Sequence, residues 1–81
     1  MSDTITRLAS KLAEDVLKVQ DASGEDRLYM EVATVLAASS QSLEEAFLTE
    51  VRIRLSERIA RKFLSDKLAE LQAAAKAKSA K

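Results

Sequence analysis

Ser39-Ser40-Gln41-Ser42-Leu43-Glu44-Glu45 decides the fold of this 81-residue chain. Serines are poor in helix interiors and good at helix starts, because their hydroxyls compete for nearby backbone groups. Ser42 with Glu45 three residues on spells a capping box, and Leu43, Ala46 and Phe47 restart an apolar rhythm directly after it. A break here predicts a three-helix bundle. A continuous helix from Glu25 past Leu71 predicts a hairpin with one very long arm. The spacing favours the break.

Downstream, a helix over about 43–75 is predicted, roughly 50 Å long at 1.5 Å per residue. Its apolar residues form two stripes. Leu43, Phe47, Val51, Leu55, Ile59 and Phe63 step by four and slide slowly around the axis. Ala46, Ile53, Ala60, Leu64, Leu68 and Leu71 start on a different side. The first stripe is expected to pack on the preceding helices, with Phe47, Val51, Leu55, Ile59 and Phe63 at the centre of the buried surface. The second then faces a partner, giving a candidate interface at Ile53, Ala60, Leu64, Leu68 and Leu71. A curved or kinked helix burying both stripes in one monomer is the alternative.

Upstream, residues 25–38 read as a helix with Leu28, Tyr29, Met30, Val32, Val35, Leu36, Ala37 and Ala38 around most of its circumference. Such a helix needs cover on several sides, more than one small chain supplies. Tyr29 and Met30 are expected in the core rather than at an exposed hot spot. Before it, Gln20 to Gly24 interrupts the pattern, and Ser23 to Asp26 spells another capping box, with the Ser23 hydroxyl accepting from the Asp26 amide. The first helix is predicted over about 4–20, capped by Ser2 or Asp3, roughly 25 Å long, with Ile5, Leu8, Ala9, Leu12, Ala13, Val16 and Val19 on one face. The fold class is therefore all-α, a small bundle or hairpin of two to three helices with a long C-terminal helix, in one domain over residues 1–75. The final Lys76 to Lys81 stretch, without large apolar residues, is expected to be a flexible basic tail.

The net charge of zero hides two opposed halves. Residues 1–50 carry ten acids against four bases, a balance of −6, and residues 51–81 carry nine bases against three acids, a balance of +6. Asymmetry of this kind speaks of partners, the first candidate being another copy of the chain or its own other half. Domains of this size bury only about 60–65% of their unfolded surface, and without disulfides or metal they gain stability from good helices and oligomerisation. A homo-oligomer, a dimer first, is expected.

The chain has no His and no Cys. It thus lacks the commonest general base, the tunable thiol and all soft or imidazole metal ligands. A carboxylate-only site could rest on Glu25 with Asp26 or Glu44 with Glu45, but both pairs fall at predicted helix starts, where negative charge serves the helix dipole. With one glycine, Gly24, no glycine-rich phosphate loop can form. No enzyme, metal, cofactor or small-molecule substrate is expected.

Met1 to Leu12 has Arg7 and Lys11 within its pattern and reads as neither a signal peptide nor an anchor. The longest apolar run, Val35 to Ala38, is far below the roughly 18–20 residues of a membrane span. A soluble, cytoplasmic protein is expected, and interrupted stripes argue against a membrane-surface helix.

One cluster could grip a polyanion: Arg54, Arg58 and Arg61, within about 60° of one another on a helical wheel, aided by the Lys tail. Glu50 and Glu57 lie beside that face, and nothing on it suggests base reading or stacking. Pairing of these arginines with acids of the N-terminal half is the favoured expectation, and nucleic-acid association the alternative.

Overall fold

The computed structural model describes residues 3–79, which form three α-helices: α1 Asp3–Ser23, α2 Leu28–Ser39 and α3 Gln41–Ser79. The all-α class follows from the sequence, with no proline and a single glycine to interrupt it. Ser2, a possible cap of α1, lies outside the described residues.

α1 ends at Gly24. That residue adopts φ 77°, a left-handed conformation in which a Cβ is strained, and its amide donates to the Gln20 carbonyl at 2.9 Å. Ser23 consequently belongs to the end of α1 and does not cap α2. Its hydroxyl accepts from the Glu25 amide at 3.3 Å, not from Asp26. Glu25 and Asp26 precede α2 rather than opening it, because α2 starts only at Leu28. The Arg27 side chain, at the N-cap of α2, makes no capping hydrogen bond. The Tyr29 amide, one of the free donors of its first turn, is instead satisfied across the fold by Gln20 Oε1 at 3.1 Å. Gln20 is buried among apolar residues, and this bond supplies its partner.

The chain breaks between α2 and α3 at one residue, Ser40, which is extended (φ −158°, ψ 103°). Its amide donates to the Leu36 carbonyl at 2.7 Å, closing α2, and its carbonyl accepts from the Glu44 amide at 3.0 Å, opening α3. Its hydroxyl accepts from the Leu43 amide at 3.1 Å, the bond of an N-cap serine to the third helical residue. The break falls in the expected stretch, but Ser40 rather than Ser42 is the cap. Glu45 accepts instead from the Gln41 side chain at 3.4 Å.

The core is small. Ala9, Ala13, Val16 and Leu17 of α1, Ala33 of α2, and Phe47 and Val51 of α3 are buried, with Leu12, Tyr29, Val32, Leu43 and Leu55 among those packed at its edge. The alanines let α1 approach α3, and these two helices share the most extensive interface. Phe47 and Val51 are the largest fully buried side chains.

Two expected core positions are corrected: Ile59 and Phe63 are 72% and 68% exposed. Each step of four residues carries a side chain about 40° around an α-helix, so Phe63 lies about 160° from Phe47. The drift takes the stripe off the core face while α3 outruns the other helices. The end of α3 is also corrected. The helix continues through Lys76 and Lys78 to Ser79, placing both lysines in its last turn, where the helix dipole favours positive charge. Lys81 lies outside the described residues.

The product is elongated, 64 × 30 × 13 Å, with a radius of gyration of 18.3 Å. A compact chain of this length would have about 12 Å. α3 alone spans about 58 Å.

Candidate interaction surface

Ile53, Ala60, Leu64, Leu68 and Leu71 all lie within about 80° of arc on α3, on the side turned away from Phe47 and Val51. All five are exposed, the four large ones by more than half of their surface. Phe63 and Ile59 continue this face along one edge. On the other helices Leu8, Val19, Met30 and Val35 are exposed as well. Tyr29 is half-buried against the core as expected, whereas its neighbour Met30 points outward.

The accessible surface of the chain is 6245 Å². A compact monomer of 8.9 kDa would expose about 4,800 Å². The excess, about 1,400 Å², exceeds the roughly 800 Å² that each partner of a standard protein interface buries.

The candidate polyanion cluster is engaged within the chain. Arg54 Nη2 donates to the Ser10 carbonyl at 3.2 Å and its hydroxyl at 2.9 Å, while Nη1 reaches Glu50 Oε1 at 2.9 Å. Arg58 makes a two-pronged bond to Asp21, at 3.0 and 2.9 Å. Arg61 Nε donates to Glu57. Of the three, Arg58 alone makes an ion pair between helices; the Arg54 and Arg61 pairs are one turn apart on α3, although Arg54 also bonds α1 through Ser10. Farther out, Lys62 pairs with Asp66 at 3.1 Å and Lys67 with Glu70 at 3.0 Å. The side chains of the outer pairs are half or more exposed, so they contribute little to stability.

A cleft of about 260 Å³ lies between α1 and α3, lined by Glu14, Leu17, Lys18, Arg54, Glu57 and Arg58. Its charges are mixed, and Lys18 and Glu14 pair with each other at 3.4 Å. The carboxylate pairs named as possible acid–base groups stand apart from it: Glu25 and Asp26 are exposed before α2, and Glu44 and Glu45 lie at the start of α3. Among the described residues no three acidic side chains gather as a metal ion would require. Among the same residues no helix is long and apolar enough to cross a membrane.

Gln20 was not legible as a structural residue. Its one signal is a polar residue one turn past Val16 and Leu17 on the buried face of α1, which in retrospect calls for a hydrogen-bond partner. Comparison with protein-family models, with curated proteins and with solved structures gives no match.

Proposed function

We propose that this chain is a nonenzymatic, cytoplasmic protein-interaction module, an adaptor, chaperone-like or regulatory subunit that works as a homo-oligomer, with the dimer favoured. The observation that carries the reading is the apolar face of α3 at Ile53, Ala60, Leu64, Leu68 and Leu71, turned away from the chain's own core and joined to a surface excess of interface size. Cofactor, metal and small-molecule substrate have no part in it. Nucleic-acid association is the weaker alternative, because Arg54, Arg58 and Arg61 already bond side chains or backbone of the chain itself.

The deciding experiment is absolute mass by light scattering after size exclusion, at low and at high salt. A dimer or larger species that survives high salt supports a hydrophobic interface, and Leu64→Glu with Leu68→Glu should abolish it. A monomer at both salts refutes the reading. For the alternative, a labelled duplex or single strand titrated at low salt should bind with steep salt dependence, weakened by Arg54→Ala, Arg58→Ala and Arg61→Ala.

A further inference from the structure

We infer that the occupant of the exposed α3 face is a second copy of the chain lying antiparallel, with Glu57 of each copy paired to Lys67 of the other. This deepens the proposed self-association and rests on it. The positions Ile53, Glu57, Ala60, Leu64, Lys67 and Leu71 are spaced 4, 3, 4, 3, 4, the repeat of a coiled-coil seam. Ile53, Ala60, Leu64, Lys67 and Leu71 are exposed, and Glu57 stands at the rim of the α1–α3 cleft; the Glu57 and Lys67 side chains are 56% and 50% exposed.

This seam is self-complementary only when reversed. Laid antiparallel about a midpoint at Lys62, it sets Ile53 against Leu71, Glu57 against Lys67 and Ala60 against Leu64, each contact made twice by the two-fold axis. Large meets large at the ends, opposite charges meet between, and a small residue faces a leucine near the centre. Phe63, on the flank, approaches its own symmetry mate beside the axis. A parallel, in-register pair would instead place Glu57 against Glu57 and Lys67 against Lys67 within the seam, two like-charge layers that disfavour it. The elongated chain exposes about 1,400 Å² more than a compact monomer of its mass, which leaves room for the roughly 800 Å² that each partner of a standard dimer buries. In the single chain Glu57 and Lys67 are held by Arg61 and Glu70, both exposed contacts that yield easily to a new partner.

The chain has no cysteine, so single-cysteine labelling is clean. Gln72 and Lys76 are exposed and lie off the seam. Spin labels on Gln72→Cys and Lys76→Cys should show distances between copies of about 30 and 42 Å, rising by about 12 Å because each residue outward adds 1.5 Å per copy at both ends of the pair. Short, equal distances at both positions overturn the antiparallel arrangement while leaving the dimer standing. A 12 Å rise from a different base overturns the Glu57–Lys67 register. Monomeric mass in the unlabelled chain overturns self-association and this inference together. Charge exchange gives an independent readout. E57K and K67E should each weaken the dimer by about tenfold, and the E57K/K67E double variant should recover it to within about threefold of the parent. A parallel dimer keeps its like-charge layers in all four proteins, so a flat series also overturns the inference.

Discussion

The guanidinium of Arg58 meets the carboxylate of Asp21 end-on through two hydrogen bonds, of 3.0 and 2.9 Å, and this pair sits where α3 leaves the body of the fold. Before it, α3 is held by Phe47, Val51 and the Arg54 contacts to Ser10. Beyond it, the side-chain bonds of α3 are local ones to Glu57, Asp66 and Glu70.

Because both partners are about half exposed, solvent screens the pair. Asp21→Asn should therefore lower stability by less than about 1 kcal/mol, and the loss should shrink in high salt. Urea titrations at two ionic strengths read both quantities; a loss several times larger would mean the pair anchors α3 more firmly than its exposure allows.

Gln20→Leu should cost about 1–3 kcal/mol, since it removes the acceptor of the Tyr29 amide in a part-buried place. Hydrogen exchange at that amide should accelerate in step. Unchanged protection of Tyr29 would show that water replaces the side chain without loss.

Two phenylalanines sixteen residues apart on one helix should behave oppositely. Phe47→Ala empties the centre of the core and should cost about 3–5 kcal/mol in unfolding. Phe63→Ala should change the unfolding of a dilute, monomeric sample by less than about 0.5 kcal/mol, while reducing the dimer fraction at high concentration.

The serine that caps α3, Ser40, and the one expected to, Ser42, are separable in the same way. Ser40→Ala should lose about 1 kcal/mol, the usual cost of an N-cap, and Ser42→Ala should lose a few tenths. Thermal or urea midpoints of the two variants, compared at equal concentration, check the ranking.

If association through α3 stabilises the fold, the melting temperature should rise with protein concentration, by mass action. The Leu64→Glu, Leu68→Glu variant should melt at one temperature across a hundredfold range. A concentration-independent parent would count against any dimer linked to folding.

Three helices, the break after Ser39 and the outward stripe at Ile53, Leu64, Leu68 and Leu71 were all legible, because each rests on a local signal: helix-forming composition, a serine cluster, a repeat in one segment. What the sequence hid depends on relations between segments. Ser42 carries the better local signal, a glutamate three residues on, and only the point where α2 turns makes Ser40 the cap instead. Phe63 resembles Phe47 in type and spacing, but its burial depends on how far along α3 the other helices reach. Gln20 caps a helix it does not belong to, so no motif within α2 reveals it. The arginines were readable as a charged group, while their division between α1 and α3 required the fold.

If copies of the chain associate through α3, its long reach past the Arg58–Asp21 clasp makes helicity itself a measure of company. Its outer residues, 59–79, make about 31 Å of helix whose own ion pairs are solvent-exposed, so its stability within one chain rests on helix propensity and local pairs rather than on tertiary packing. Covering its apolar face would add the tertiary packing from which most helical stability comes. Were copies to associate there, ellipticity followed on dilution would fall as they part, a gauge of how crowded the chain is with itself.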